Sequence, residues 1–296
     1  MACFTTLLRQ PSRVGGSDAI MHTLRAARRA LLDVEDSVAA NQSVPVVVLN
    51  LPGSAVRRAT ILQQLKNVGL RGNIVPALFG NDLDIRSLGM LGIVGHDLRQ
   101  QFPSARDIGC ALSHMLLWSE LQYSSAPAIV VLEDDAIIGP QFSRVLRDVL
   151  PVITDRRRGV DLLSLTWYRH LTNPACVTQL IRPAPSSAPP LIRFHCDGGL
   201  NTGFAAYLVT PRGAHRSLAA ALPLHASIDL QLGSELAHPL VRPMGLLWLA
   251  MRQERSPWVA AHNFSMKSER VYGLDGKANR LAAKRAALNL PYRRRT

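Results

Sequence analysis

A chain of 296 residues, 47% hydrophobic and 19% charged, can bury a substantial core as one large domain or two modest ones, which excludes wholesale disorder and a collagen-like repeat. Its four cysteines, Cys3, Cys110, Cys176 and Cys196, are widely spread with no CxxC spacing, so reduced thiols are expected rather than a disulfide scaffold or a Cys-rich zinc site. The formal charge of +13 would suit nucleic acid, but the excess sits in a tail: residues 276–296 hold Lys277, Arg280, Lys284, Arg285, Arg293, Arg294 and Arg295 with no acid.

That tail lacks the aromatic interleaving of a base-stacking platform, so no nucleic-acid partner is expected. It reads as solvated, or as a peripheral contact with an anionic membrane face. The longest apolar run, Met244 to Met251, is far short of the ~20 residues of a spanning helix. Arg9, Pro11, Arg13 and Asp18 interrupt any signal core in residues 1–30. The expected location is the cytoplasm, with the inner membrane face as the peripheral option.

Residues 1–42 read as an N-terminal helical extension, broken at Gly15-Gly16, with an Ala- and Arg-rich helix over 18–40. Pro45 to Leu51 (PVVVLNL) is a continuous β-branched run of the kind buried in a parallel sheet. After the turn at Pro52-Gly53-Ser54, the spacing of Ile61, Leu62, Leu65 and Val68 predicts a helix over 55–68, and Asn73 to Phe79 follows as a strand. Residues 81–106 read as irregular. Asp107 is placed as the cap of a helix running to about Gln122, and Pro127 starts a strand over Ala128 to Leu132. Residues 141–150 are helical, Val160 to Leu165 a strand, 182–190 (RPAPSSAPP) a loop, Ala205 to Thr210 a strand, and Pro211 to about Ala221 a helix. Strands alternating with helices predict an α/β layer fold with a mostly parallel central sheet and flanking helices.

The most informative stretch is Glu133-Asp134-Asp135 at the end of the apolar strand Ile129 to Leu132. Three clustered acids repel one another and are costly to desolvate, and a hard divalent cation relieves both penalties. In open α/β sheets ligands gather at the carboxyl ends of strands, where these acids lie. The alternative is an acidic loop or a helix N-terminus stabilised by negative charge. His114 and Trp118 stand at i and i+4 on one helix face. By spacing alone they read as a core histidine beside a core tryptophan, with the border of a nucleotide or sugar pocket as the alternative.

In order along the chain, Val48-Leu49-Asn50-Leu51 with Arg57-Arg58, then Ile108 to His114 (IGCALSH) with Trp118, then Val131 to Asp135 (VLEDD), resemble glycosyltransferase family 25. Asp161 to Leu165, Thr202-Gly203 through Tyr207, Gly213-Ala214 and Ile228-Asp229 continue the resemblance, which covers roughly residues 44–265. It implies a catalytic domain over 43–275 with the GT-A nucleotide-sugar-binding fold. It also implies an inverting transferase that moves a sugar, galactose being the family's commonest, from a UDP-sugar to a glycan or lipid-linked acceptor such as lipooligosaccharide. Glu133, Asp134 and Asp135 become the equivalent of a DXD motif, with Asp135 and Asp134 as ligands of a divalent metal, Mn²⁺ or Mg²⁺. Asn50, Leu51, His114, Glu133 and Asp134 become donor-binding residues. Arg57 and Arg58 fall on the following helix and read as solvated charges, with a nucleotide contact as the alternative.

Inversion requires one general base, for which Asp229 is the candidate, ahead of His225 and Asp197. A sugar contact or a helix cap are the other roles open to Asp229. The chain has Asp107 where the family often has Glu, which suits capping better than catalysis. Two other readings compete: a nucleotidyltransferase, for which Leu51-Pro52-Gly53-Ser54 is a poor glycine-rich signature, and a catalytically degenerate fold acting as a basic binding protein.

Overall fold

The computed structural model describes residues 2–11, 14–32, 44–95, 103–140, 142–155, 160–165, 177–181, 191–194, 205–232, 243–246 and 259–260. The basic tail 276–296, the Pro/Ser-rich loop 182–190, Asp197 and the far end of the expected 18–40 helix lie outside them. Helices α1 (Ala2–Arg9) and α2 (Ser17–Leu32) precede β1 (Val46–Asn50), α3 (Ala55–Asn67) and β2 (Asn73–Pro76). A 3-10 turn at Gly80–Asp82 and the short α4 (Ile85–Met90) lead to α5 (Ala105–Leu121), β3 (Ile129–Glu133), β4 (Ile137–Ile138) and α6 (Phe142–Thr154). There follow β5 (Leu162–Ser164), β6 (Val177–Ile181), β7 (Leu191–Phe194), β8 (Ala206–Val209), α7 (Pro211–Ala220), α8 (Ile228–Leu232), β9 (Pro243–Leu246) and β10 (Val259–Ala260).

Eight strands form one sheet in the order β2-β1-β3-β8-β5-β9-β7-β6, and β4 pairs with β10 outside it. The expectation of a mostly parallel sheet is not met: among the described strands, three of the seven pairings in this sheet are parallel and four antiparallel. β1 runs parallel to β2 and β3, with Leu49 opposite Glu133, and β5 runs parallel to β9. β8, however, is antiparallel to both β3 and β5, and β7 is antiparallel to β6 and β9. The sheet is therefore mixed. Parallel neighbours need a helical crossover, which α3 supplies between β1 and β2, whereas β8 enters between β3 and β5 from the opposite end.

Strand alternation sorts the apolar side chains into two cores. Val47, Leu49, Ile129, Val131, Tyr207 and Val209 face α2, α5 and α7, while Val46, Val48, Val130, Leu132 and Leu208 face α3 and α6. Burial on both faces is why these strands read as unbroken apolar runs. Residues 2–32 join the first core: Phe4, Leu7, Ile20, Ala27 and Leu31 are buried in it, and Arg28 of α2 pairs with Glu120 of α5 at 2.7 Å.

The start of α5 differs from the expectation. Ser104, not Asp107, is the cap: Ser104 Oγ accepts from Asp107 N at 3.3 Å, and Asp107 Oδ2 accepts from Ser104 N at 3.0 Å. Asp107 is the third residue of a capping box, whose two side chains satisfy two end donors reciprocally. Within the stretch expected to be irregular, Asp84 caps α4 by accepting from Arg86 N and Ser87 N.

Gly109 lets α5 lie directly on the chain leaving β2. A Cβ there would stand 2.6 Å from Gly80 N and 2.9 Å from Leu78 O. One turn on, Ser113 Oγ accepts from Leu78 N at 2.8 Å and donates to Gly109 O at 2.7 Å. Gly109→Ala is expected to cost about 1–3 kcal/mol through overpacking, read as a lower urea midpoint at unchanged slope. A midpoint equal to wild type would mean that the helix does not need this close approach.

Candidate active site

The parallel pair β1–β3 ends where α3 begins, and this corner gathers the polar residues. Asp134 is held from three sides. Arg57 Nη1 donates to its Oδ1 at 2.8 Å, and Asn50 Nδ2 and Leu51 N donate to its Oδ2 at 2.7 and 3.3 Å. Arg57 is only 8% exposed, and its Nη2 donates to Ser54 Oγ at 3.2 Å. The reading of Arg57 as a solvated helix charge is thus corrected. The turn after β3 brings two carboxylates to the first turn of α3, and only a cation there makes their burial tolerable. Arg58, one residue on, is exposed as expected.

Asp135 approaches the same guanidinium nitrogen, its Oδ2 3.8 Å from Arg57 Nη1, with its side chain 1% exposed. Burial pushes the Asp134 carboxyl above the ordinary carboxylate range, a shift opposed by Arg57 and by the Asn50 and Leu51 donors, and aided by Glu133.

Glu133 faces the other way, toward α5. Its Oε1 stands 3.7 Å from both Cys110 Sγ and His114 Nε2. His114 is fully buried, and its Nδ1 lies 2.8 Å from Tyr207 Oη, which accepts from Trp118 Nε1 at 3.0 Å. His114 and Trp118 therefore satisfy both readings of their spacing: Trp118 is core, while His114 links that core to the site. Burial drives the Tyr207 hydroxyl well above its ordinary value, with Trp118 opposing and Cys110 and Glu133 adding to the rise, so it stays a neutral phenol.

A cavity of about 440 Å³ opens between these groups, a size typical of small-molecule sites. Leu49, Leu51, Arg57, Glu133 and Asp134 line its strand-end wall, Cys110, Ser113 and His114 its helix wall, and Phe79, Asn81 and Arg106 also line it. Of the residues singled out from sequence, Leu51, His114, Glu133 and Asp134 meet there, and Asn50 supports them from behind through Asp134. Asp135 is not among the lining residues. Asp229 sits half-buried in the first turn of α8, and His225 is exposed just before that helix; neither lines the cavity.

Sequence reasoning missed Arg57 as a buried ion-pair partner, Arg106 and Cys110 as lining residues, and the polar role of Tyr207. Tyr207 did carry a signal, since a tyrosine inside an otherwise apolar strand must find a hydroxyl partner when buried.

The cavity lies at the carboxyl ends of the parallel strands β1 and β3, the place where ligands gather in open α/β sheets. The sequence profile of Glycosyltransferase family 25 (LPS biosynthesis protein) matches residues 44–231, and the chain belongs to that family. It is 28% identical over 195 residues to a Mus musculus protein named "Inactive glycosyltransferase 25 family member 3", covering 62% of this chain and 30% of that protein. It is 30% identical over 125 residues to an Aedes aegypti "Glycosyltransferase 25 family member", covering 40% of this chain and 20% of that one. The chain thus spans less than a third of the length of these relatives. α1 and α2 precede the family match although they share its core. Among the described residues no helix is long and apolar enough to cross a membrane.

The raised Asp134 value sets a sign for pH dependence. An acid whose folded-state pKa exceeds its unfolded value holds its proton more tightly when folded. Its contribution is full below the unfolded value of about 4 and is lost as pH rises through the folded one. Stability measured by urea unfolding is expected to fall over that interval, with a shallower slope in Asp134→Asn. Equal slopes in the two proteins would exclude Asp134 as the titrating group.

Proposed function

We propose that this chain is an inverting glycosyltransferase that moves a sugar, galactose first among the candidates, from a UDP-sugar to a hydroxyl of a glycan or lipid-linked glycan. The observation that carries the reading is the cavity at the carboxyl ends of β1 and β3, beside three acids, in a chain of family 25. Leu51 offers apolar surface and the exposed Arg106 offers positive charge, both of which a nucleoside diphosphate requires, while Arg57 is engaged by Asp134 and Asp135. Asn50 holds this corner through Asp134 rather than by direct exposure.

Asp135 is proposed as the first ligand of a hard divalent cation, Mn²⁺ or Mg²⁺, which requires its carboxylate to turn from the Arg57 corner toward the cavity that it does not line. Asp134, whose oxygens accept from Arg57, Asn50 and Leu51, is the structural neighbour that holds the corner. Such an ion would supply positive charge for the leaving diphosphate. The chain's own contribution is to hold the strand ends rigid through Arg57–Asp134 and to keep Glu133 anchored against α5. Asp229 is proposed as the base that accepts the acceptor's hydroxyl proton, which requires the acceptor to bridge from the cavity toward α8. The basic segment 277–296 is proposed to bring the enzyme to an anionic membrane face.

A second reading has its own support, since two relatives, from mouse and from Rattus norvegicus, carry "inactive" in their names. In that reading the cavity binds a nucleotide-sugar without transferring it. UDP release and donor binding, measured with UDP-galactose, UDP-glucose and UDP-N-acetylglucosamine with manganese and with chelator, separate the two. Metal-dependent UDP release from one donor is expected. Binding of a donor without release, in the presence of glycan acceptors, would favour the second reading, and no binding of any donor would sink both.

Asp135→Asn, in protein whose melting curve shows that it is folded, is expected to lower release roughly 100-fold or more, and Asp229→Asn to lower transfer to acceptor by a comparable factor. Wild-type turnover in either variant would remove that residue's role. Deleting 277–296 is expected to abolish sedimentation with phosphatidylserine vesicles, and undiminished sedimentation would defeat the membrane contact.

A further inference from the structure

We infer that Cys110, His114 and Glu133 form a site for a borderline-soft divalent cation, Zn²⁺ by its chemistry, in the helix wall of the cavity and apart from Asp135. The three ligand atoms lie within 4.8 Å of one another. Two of the separations, Cys110 Sγ to Glu133 Oε1 and His114 Nε2 to Glu133 Oε1, are each 3.7 Å. In a tetrahedral zinc centre with bonds of ~2.0–2.3 Å, ligand atoms stand roughly 3.3–3.8 Å apart. Two separations already lie in that range, and the third, from Cys110 Sγ to His114 Nε2, is at most 4.8 Å and closes by up to about 1 Å around an ion.

The backbone pre-arranges this set. Cys110 and His114 are four residues apart on α5, so one turn of helix presents both to the same side, and Glu133 meets them from the last position of β3. The His114 ring is held by Tyr207 at Nδ1, and Tyr207 in turn by Trp118, which leaves Nε2 directed at Glu133. Ligating histidines are oriented in this way by a partner on the other ring nitrogen.

Donor chemistry chooses the ion. One thiolate, one imidazole and one carboxylate suit Zn²⁺, whereas Mg²⁺ and Mn²⁺ prefer all-oxygen sets such as a carboxylate beside phosphate. On binding, the Cys110 thiol gives its proton to solvent and its sulfur forms the bond to the metal. Because all three residues line the cavity, the fourth tetrahedral position is open to it. A cation there would offset the Glu133 carboxylate where the end of β3 meets α5.

The test uses the full chain, reduced, stripped with chelator and desalted, with Co²⁺ as the spectroscopic probe and no donor or acceptor present. One equivalent of Co²⁺ is expected to raise a near-ultraviolet thiolate-to-cobalt charge-transfer band, which one equivalent of Zn²⁺ removes and excess Mg²⁺ does not. Cys110→Ser is expected to lose the band, and Glu133→Gln to weaken Co²⁺ binding roughly 10-fold or more. Cys110→Ala serves in place of the serine variant if the latter's melting curve shows that it is unfolded. No band in the wild-type chain, a band that survives removal of the Cys110 thiol, or displacement by Mg²⁺ would each overturn the inference. The readout is independent of sugar transfer: UDP release without a band overturns the zinc site alone, and a band without UDP release counts only against the transferase reading.

Discussion

The Arg57 guanidinium occupies a nearly dry corner where β1 ends, α3 begins and the chain turns out of β3, and it lies within 4 Å of the carboxylates of both Asp134 and Asp135. Two buried acids at one strand end would drive the corner apart or into solvent without it. Removing one partner of such a pair commonly costs about 3–5 kcal/mol, because the charge left behind is still buried. Asn50 and the Leu51 amide complete the shell around Asp134, so the two parallel strands are joined beyond their last backbone ladder bond. The cavity is bounded on one side by this junction, and its shape depends on the junction remaining closed.

On the opposite side the same strand end is tied to the core by a different chemistry. Glu133 meets Cys110 and His114, and the line from His114 through Tyr207 to Trp118 runs from the cavity into the buried face of α5. Adjacent acids thus serve two junctions: Glu133 meets the thiol and imidazole of α5, and Asp134 with Asp135 meets Arg57. The turn after β3, where Ala136 N donates to Glu133 O at 3.1 Å, makes this divergence possible. A single acidic triplet in the sequence therefore becomes two electrostatic environments of different hardness. One is crowded by a guanidinium and amide donors, and the other is bordered by a thiol and an imidazole.

Membership of family 25 fits this geometry, yet activity does not follow from membership. Relatives that share the matched segment include proteins named inactive, and the chain covers under a third of their length. On the proposed reading, what decides between transfer and binding is local: whether Asp135 and Asp229, neither of which lines the cavity, come to bear on molecules held there. α1 and α2, outside the matched segment, contribute buried side chains to the core behind α5 and so help to fix the helix that carries Cys110 and His114.

Much of this was legible in the residues themselves. The apolar runs at 46–49 and 129–132, the helical spacing of 55–68, and the Thr210-Pro211 start of α7, where Thr210 Oγ1 accepts from Gly213 N, follow from local rules of burial and capping that need no knowledge of neighbours. The acid triplet was legible as a candidate site from its clustered charge, whereas the spacing of His114 and Trp118 read as core and only the family resemblance set the IGCALSH segment beside those acids. Strand direction was not, because it depends on which end of the sheet a strand enters, and β8 enters reversed between β3 and β5. Nor could the fate of Arg57 be read, since burial depends on residues 77 positions away in the chain. The capping box at Ser104 was within reach of sequence rules, being a Ser three residues before an acid. Local composition determined which segments would be buried and where acids would cluster. Only the tertiary structure decided which acid meets a cation and which meets a thiol, because that choice is made by elements brought together across the sheet.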